Sequence, residues 1–247
     1  MTTLDLNADL GEGMPGDEAL LDIVSSASIA CGGHAGDAET MRRTLRAAKA
    51  RGVAVGAHPG FADRENFGRR RLILPPEELD EQVSSQVRLL VEIAEEEGVD
   101  VRYLKLHGAL ANMAAEEPAV AALCFASVAG LVPDLAILAI DNSAQVEVAE
   151  ALGYPVVLEA YADRAYLPDG LLVPRSAPGA VLHDAEAIAE RAVRLAKSGE
   201  LVAIDGSIIA TRATSLCIHG DTAEAVAIAR AVRHALEAEG IAVSAPY

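Results

Sequence analysis

The sequence is poor in aromatic residues and in positive charge. Its 247 residues include no tryptophan, and aromatic residues make up only 3% of the chain. The 20 basic residues are outnumbered by 37 acidic ones, which gives a net charge of −17. A general nucleic-acid surface and an anionic-membrane surface both need a basic footprint, so this deficit excludes both kinds of partner.

Cysteine is scarce, and no apolar run is long enough to span a membrane. The three cysteines, Cys31, Cys124 and Cys217, are odd in number and show no C-x-x-C spacing, which favours reduced thiols. The first ten residues have neither the basic nor the apolar segment of a secretory signal. The richest apolar stretch, 119–140, is interrupted by polar, glycine and proline residues, which predicts buried elements. We therefore expect a cytoplasmic protein.

Two common motifs are missing, and the one glycine motif present is a poor match. Neither a G-x-S-x-G elbow nor a G-x₄-G-K-[ST] loop occurs, so neither a serine hydrolase nor a P-loop ATPase is indicated. Residues 11–16 match G-x-G-x-x-G, but Glu12 would repel a phosphate in that turn. The strand before it carries Asn7 and Asp9, and the second strand ends in C-G-G-H instead of the acidic residue that binds a ribose. We expect these glycines to shape a loop.

What the sequence does contain is a regular alternation of strand-like and helix-like segments. Hydrophobic residues make up 51% of it, and no linker, repeat or low-complexity tract divides it. Predicted strands are 4–10, 28–31, 53–57, 103–106, 135–140, 156–161, 201–204 and 215–218, and predicted helices are 17–26, 37–51, 76–97, 116–129, 143–152, 184–198 and 222–239. Apolar strands alternating with amphipathic helices predict a parallel sheet covered by helices. Seven or eight such units in one domain, residues 1–247, favour an α/β fold of the TIM-like barrel type.

Nearly every predicted strand ends in a short cluster of histidine, aspartate, asparagine and glycine. Four histidines follow four different strands: His34, His58, His107 and His219. The carboxyl ends of all strands in a parallel barrel lie on one face, so these rings are expected to converge. Imidazole titrates near neutral pH and a carboxylate can orient it, which predicts an enzyme site for proton transfer. The other two, His183 and His234, are expected at the surface.

Lysine is rare, and one of the three lysines interrupts a strand. Lys105 lies in the apolar run Y-L-K-L-H just before His107. A buried lysine is costly unless it is paired, so Lys105 is expected to point into the site and meet a substrate carboxylate or a developing anion. A purely structural pair with an aspartate is the alternative. Arg164 and Arg175 either form a fork for carboxylate or phosphate or pair at the surface.

The same groups suit a divalent metal ion as well as proton transfer. Neutral histidine with aspartate is a common ligand set, and Asp9, His34 and His58 would be the ligands. The chain has no H-x-E-x-H or H-x₃-H pair, so the spacing of these residues gives no independent support for a metal. From the sequence we expect no tightly bound metal.

A set of six segments gives the chain a family resemblance. They occur in order between residues 5 and 221: DLNADLGEG, ACGGHAGD, GAHPGFADRENFGRR, KLHGALAN, EAYADRAYLPDGLLVPR and LCIHGD. Together they make the chain resemble the LamB/YcsF family over nearly its whole length. It departs from the family pattern at Gly33, Leu106 and Ala111, where Phe, Pro and Tyr are common, and in the loop 141–143. These departures concern the lining of the pocket more than its ionisable groups.

The resemblance implies a seven-stranded (β/α) barrel akin to glycoside hydrolase and polysaccharide deacetylase barrels. It also implies the role of the A subunit in an ATP-dependent 5-oxoprolinase, which opens the lactam of 5-oxo-L-proline to L-glutamate with partner B and C subunits. ATP and its Mg²⁺ would be used by the complex, at a site shared with or carried by the partners, since this chain lacks an ATP loop. Two alternatives stay open: a metal-dependent, deacetylase-like amidohydrolase acting alone, and a non-catalytic protein that binds the lactam. Homo-oligomer formation also stays open.

Each candidate residue receives a hypothetical role within this site. The candidates for proton transfer are Asp9, His34, His58 and His107. The candidates for substrate binding are Asn7, Glu12, Asp37, Lys105, Asp163, Arg164, Arg175, His219 and Asp221. Together they would activate water, protonate the leaving nitrogen and support the carboxylate or phosphate.

Overall fold

Parallel strands of the protein close into a barrel. The structure, a computed structural model, describes residues 2–222 and 224–247. Its strands are β1 (Thr3–Leu10), β2 (Ser26–Ala30), β3 (Ala54–His58), β4 (Val101–Leu104), β5 (Ala136–Ile140), β6 (Val156–Tyr161), β7 (Glu200–Val202), β8 (Ile208–Ala210), β9 (Ser215–His219) and β10 (Ala242–Val243). Strands β1 to β6 pair in order, and β9 pairs with both β6 and β1. These seven strands confirm the predicted (β/α) barrel.

Helices follow most of the barrel strands along the chain. They are α1 (Asp17–Leu21), α2 (Ala38–Arg51), α3 (Pro76–Glu97), α4 (Gly108–Glu116), α5 (Pro118–Ala126), α6 (Ala144–Ala151), α7 (Ala185–Ser198) and α8 (Ala225–Ala238), with a 3₁₀ turn at Arg64–Asn66. The ends of α2, α3, α6 and α7 agree with the sequence prediction to within one residue. Residue 223, in the helix expected over 222–239, lies outside the described residues. Within the described ranges, no helix has both the length and the apolar character needed to cross a membrane.

Several segments differ from the prediction, among them α1, which ends at Leu21 where 17–26 was expected, and β2, which begins at Ser26 where 28–31 was expected. The helix expected over 116–129 is α5, which begins only at Pro118 because this proline disfavours helical backbone at Glu117, extended at φ −123° and ψ 105°. The helix before it, α4, was not predicted. The strand expected over 201–204 does not join the barrel, since β7 pairs antiparallel with β8 in a separate sheet. The turn between them contains Gly206 at φ +87°, a conformation that favours glycine. This hairpin leaves seven strands for the barrel.

The alternation of side chains along β1 explains the polar character of the barrel interior. Four apolar residues belong to the main hydrophobic core: Leu4, Leu6, Ala8 and Leu10. The three residues between them, Asp5, Asn7 and Asp9, point inward and form side-chain hydrogen bonds with other barrel strands or the residues that follow them. Barrel interiors are usually filled by branched aliphatic side chains. Buried polar groups need partners, so this interior requires a connected network.

Aromatic rings fill the amino-terminal end of the barrel, which we call the floor. The ring of Tyr103 stacks on that of Tyr247, with centroids 4.6 Å apart and an interplanar angle of 11°. The hydroxyl of Tyr103 lies 3.2 Å from Ser28 Oγ. Gly56 faces the same ring, and a Cβ at this position would lie only 2.2 Å from it. Only glycine therefore leaves room for Tyr103 at the floor.

Candidate active site

A cavity of about 500 Å³ opens at the carboxyl-terminal end of the barrel, which we call the mouth. Its lining includes Asp9, Glu12, His58, Lys105, His107, Arg175, His219 and Asp221. These residues lie at or after the carboxyl ends of several strands, so the closed barrel brings together groups that are far apart in the sequence. His34 lies just behind this lining, buried against His107. The residues expected to converge therefore lie on the same end of the barrel: Asp9, His34, His58, Lys105, His107 and His219.

Three histidine rings and one carboxyl group form a compact cluster, which we call the histidine cluster. The rings of His34 and His107 are stacked, with centroids 3.5 Å apart and an interplanar angle of 3°. The ring of His58 stands at 90° to that of His107, and its Nε2 lies 3.0 Å from His107 Nδ1. Glu12 Oε1 lies 3.2 Å from His34 Nε2. Burial and repulsion from the neighbouring histidines hold the pKa of both His34 and His107 well below the usual range.

Backbone carbonyl groups orient two of these rings. His58 Nδ1 donates to the carbonyl oxygen of Lys105 at 2.8 Å. His107 Nε2 donates to the carbonyl oxygen of Phe67 at 2.9 Å, from the long loop after β3. A carbonyl oxygen only accepts, so these two nitrogens must carry the protons. In the neutral rings, His58 Nε2 and His107 Nδ1 therefore both present lone pairs.

Lys105 is at the centre of a buried network below the cavity. Its Nζ lies 2.9 Å from Asp9 Oδ1, 2.8 Å from Glu159 Oε1 and 3.0 Å from Cys217 Sγ. The side chain is only 2% exposed, so the inward orientation expected from the sequence is present. Asn7 is 3.3 Å from the same ammonium group and also donates to Glu159. Two carboxylates pair with the ammonium group, as expected if Lys105 has a structural role. Lys105 also lines the cavity, as expected if it takes part in the site.

Two carboxyl groups near the mouth are shifted in opposite directions. Burial, followed by repulsion from Asp9 and Asp221, raises the pKa of Glu12 well above its usual range. For Asp9, burial alone would raise the pKa, but attraction to His58 and Lys105 lowers it well below the usual value. Two neighbouring carboxyl groups whose pKa values are shifted apart suit acid and base roles in one site.

His219 and Asp163 form a second oriented pair. Both carboxylate oxygens of Asp163 lie close to His219 Nδ1, at 2.9 and 3.0 Å. The imidazole also stacks on Tyr161, with ring centroids 5.3 Å apart. His219 lines the cavity while Asp163 lies behind it, so Asp163 contributes by orienting the ring.

The arginines at the mouth are not the pair expected from the sequence. Arg164 is 5% exposed, and it donates to the carbonyl oxygens of Val173 and Ala180, so its guanidinium holds a loop in place and does not form a fork. Arg175 donates to both oxygens of Asp221 at 2.8 and 3.0 Å, and Arg69 contacts the same carboxylate. Arg69 was missed because only its place in an arginine run distinguished it.

Two more residues have roles that differ from the predicted substrate binding, and one residue of the network was missed. Asp37 is exposed and caps α2 by accepting from Thr40 N at 2.8 Å, a local signal that the sequence already contained. Asn7 lies within the barrel below the cavity, where it supports Glu159. Glu159 itself was missed, although a carboxylate inside the apolar run V-V-L-E-A-Y is the same kind of signal as Lys105.

The glycine loop after β1 has its own acceptor. Gly11 N donates to Asp17 Oδ2 at 3.1 Å. Gly11 and Gly13 have φ values of +73° and +82°, which glycine adopts readily. The loop therefore directs the Gly11 amide toward Asp17, in agreement with the prediction that these glycines shape a loop.

Comparisons with known proteins agree over the whole chain. A model of the LamB/YcsF family matches residues 4–247. The 5-oxoprolinase A subunit of Nitrobacter hamburgensis is 49% identical, with 98% of this chain and 97% of the relative covered. One 5-oxoprolinase A subunit of Agrobacterium fabrum is 48% identical, with the same coverage of both chains.

Among solved structures, one is similar to this chain in both sequence and fold, and another is similar in fold alone. The lactam utilization protein from Thermus thermophilus matches with a TM-score of 0.91 and 41% identity, covering 98% of this chain and 99% of that one. The family 4 carbohydrate esterase from Streptomyces lividans matches with a TM-score of 0.53 and 12% identity, covering 100% and 93%. The second similarity concerns the barrel fold alone.

Proposed function

The chain belongs to the LamB/YcsF family, and from this membership we propose that it is the A subunit of a 5-oxoprolinase, a hydrolase acting on a cyclic amide. The observation that carries the proposal is the match, over nearly the full length of both chains, to relatives named as 5-oxoprolinase A subunits. The reaction is hydrolysis of the lactam of 5-oxo-L-proline to L-glutamate, coupled to hydrolysis of ATP. A structural relative named for lactam utilization supports the same substrate class.

The chemistry of lactam opening matches the groups at the mouth. Water adds its oxygen to the carbonyl carbon, the carbon–nitrogen bond breaks, and the nitrogen gains a proton. Asp9, His58 and His107 form a chain of possible proton carriers, with separations of 3.4 Å between the first two and 3.0 Å between the last two. Acid–base groups within such reach typically contribute about 10²–10⁴-fold to the rate. We assign water activation and proton delivery to these three residues and His34.

The rim of the cavity supplies the positive charge that an anionic substrate needs. Arg69 and Arg175 both contact Asp221, and all three residues line the cavity. A substrate carboxylate or phosphoryl group can replace Asp221 as the partner of a guanidinium, which favours two parallel hydrogen bonds. We assign Arg175 and Arg69 to substrate binding, and Lys105 to holding Asp9 in place.

ATP chemistry and partner proteins complete the proposal. Residues 11–16 are the only segment of the sequence that matches a glycine-rich motif, and the Gly11 amide donates to Asp17. The relatives are themselves named as subunits, which supports an enzyme of several chains. We therefore assign ATP with Mg²⁺ to the complex, at a site shared with or carried by the B and C subunits.

Reconstitution tests this division of labour. Glutamate release from 5-oxoproline would be followed with ATP and Mg²⁺, using the chain alone, the partners alone and all subunits together. We expect turnover only when all subunits are present. Robust turnover by the purified chain alone would contradict the proposal. ATP-independent hydrolysis of an acyclic amide by the chain alone would favour a deacetylase-like amidohydrolase.

A variant pair separates a catalytic role from a purely binding one. His58→Ala and His107→Ala would be assayed in the reconstituted enzyme, beside His234→Ala, which changes a histidine on the outer helix α8. A catalytic role predicts a large loss of kcat for the first two and none for the third. Full activity in all three would support a protein that only binds the lactam.

A further inference from the structure

When His58 and His107 are both neutral, the hydrogen-bond polarity of the histidine cluster leaves two lone pairs facing each other. The outer nitrogens of His58 and His107 carry their protons because they donate to backbone carbonyl oxygens. The inner nitrogens, His58 Nε2 and His107 Nδ1, are 3.0 Å apart and buried. Two bare lone pairs at that distance repel each other, so the arrangement calls for a positive charge near both of them.

A carboxylate approaches the same point. Glu12 Oε1 lies 3.8 Å from His107 Nδ1, and the ligand atoms of Glu12, His58 and His107 all lie within 4.8 Å of one another. Ligands about 2.0–2.1 Å from a tetrahedral ion are about 3.3–3.4 Å apart, close to these separations. The second nitrogen of a metal-binding histidine commonly donates to a backbone carbonyl, as both rings do here.

We propose that His58 Nε2, His107 Nδ1 and the carboxylate of Glu12 bind a divalent transition-metal ion of the zinc class at the mouth of the barrel. Two imidazoles and one carboxylate are a ligand set that such ions accept. Three protein ligands leave a fourth position for water or substrate, as in catalytic metal sites. This set shares only His58 with the three ligands considered from the sequence, and it replaces the expectation of no tightly bound metal.

His34 has a separate place in this arrangement. Its ring is parallel to that of His107 at a centroid distance of 3.5 Å, and an ion lies near the plane of the imidazole that binds it. Two parallel rings cannot both meet that condition for one ion, so His34 stays outside the ligand set. Its Nε2 lies 3.2 Å from Glu12 Oε1, and its buried Nδ1 has no hydrogen-bond partner among the described residues. His34 then positions Glu12. With an ion bound, His58 and His107 act as its ligands, and the proton transfer assigned to the cluster falls to Asp9 and His34.

Metal binding can be measured without any turnover, so this inference can fail while the proposed lactam activity holds, and the reverse. The full-length chain would be treated with a chelator, dialysed and titrated with Zn²⁺ by calorimetry. A parallel titration with Co²⁺ would follow the visible absorption that reports its ligand environment. We expect one ion per chain with a Kd below about 1 µM.

Matched variants identify the ligands. His58→Ala and His107→Ala are each expected to weaken Zn²⁺ binding by about 100-fold or more, and His234→Ala is expected to bind like the unchanged protein. Circular dichroism would verify folding, and His58→Gln and His107→Gln would replace any alanine variant that unfolds. Absence of saturable binding, or one-to-one binding that survives both substitutions, would overturn the proposal. The first outcome would mean that a proton, and not a metal ion, lies between the two rings.

Discussion

The floor and the mouth of the barrel each contain an aspartate of the same strand. Asp5 and Asp9 lie four residues apart on β1, both point inward, and they are 1% and 5% exposed. At the floor, Asp5 accepts hydrogen bonds from three serine hydroxyls, those of Ser25, Ser26 and Ser215, and forms no ion pair within the described residues. At the mouth, Asp9 contacts an ammonium group at 2.9 Å and an imidazole at 3.4 Å.

Both carboxyl groups are buried, so the opposite shifts of their pKa values come from their different partners. Burial raises the pKa of Asp5, because hydroxyl donors offset the loss of hydration only in part. Burial acts on Asp9 in the same direction, but His58 and Lys105 lower its pKa well below the usual value. The difference teaches that one strand can supply both a structural group and a reactive group, depending on whether a cation reaches it.

The largest expected difference between floor and mouth is in activity. Asp9→Asn keeps the shape of the side chain but removes the charge that contacts His58 and Lys105. We expect it to lower kcat of the reconstituted enzyme by about 10²–10⁴-fold. Asp5→Asn is the matched control and should keep its activity. Equal losses of activity in the two variants, or a lower melting temperature alone in Asp9→Asn, would contradict the assignment of Asp9 as reactive and Asp5 as structural.

The second largest expected effect is a loss of stability when the ammonium group of Lys105 is removed. Lys105→Met removes the ammonium group and leaves Asp9 and Glu159 buried without their common partner. Breaking a buried ion pair on one side typically costs about 3–5 kcal/mol, so the free energy of unfolding should fall by that order. Chemical denaturation at neutral pH would measure the loss. The double variant Lys105→Met with Glu159→Gln should recover part of it, and a single variant as stable as the unchanged protein would show that this network is not needed.

The smallest effect concerns the floor and its pH dependence. Because the pKa of Asp5 is raised in the folded state, its contribution to stability is fully present below the ordinary value of 3.8 and is lost as the pH rises through the folded pKa. Asp5→Asn removes this ionisation, so it should increase the free energy of unfolding at neutral pH. It should also reduce the fall in stability above pH 3.8. Denaturation curves at several pH values would measure both, and a less stable variant at neutral pH would contradict the assignment.

Some site residues could be predicted because their signals are local in the sequence. The sequence alone shows a lysine within an apolar strand, Lys105, and a histidine after each of several strands. Their convergence follows from the parallel barrel, since all carboxyl ends lie on one face. Asp37 was assigned to the site although its position before A-E-T, at the start of a helix, already indicated a cap.

Other contacts could not be predicted because they join distant strands and loops. Arg69 and Asp221 are 152 residues apart in the sequence, and Lys105 meets Glu159 across the barrel interior from the end of β4 to β6. Which inward side chains meet depends on the stagger of the strands and the reach of each side chain, and neither leaves a pattern in the sequence. Arg164 was predicted to bind a ligand, but its guanidinium donates to carbonyl oxygens of a loop, a contact that the sequence does not reveal.

The sequence by itself determined most of the order of strands and helices and the end of the barrel where reactive groups collect. Those properties depend on hydrophobic periodicity and on the direction of parallel strands, which are local rules. Only the tertiary structure decided which carboxyl group meets a cation and which histidine nitrogens face each other. Those properties depend on distances of about 3 Å between residues far apart in the chain, and electrostatic and hydrogen-bond energies change steeply over that range.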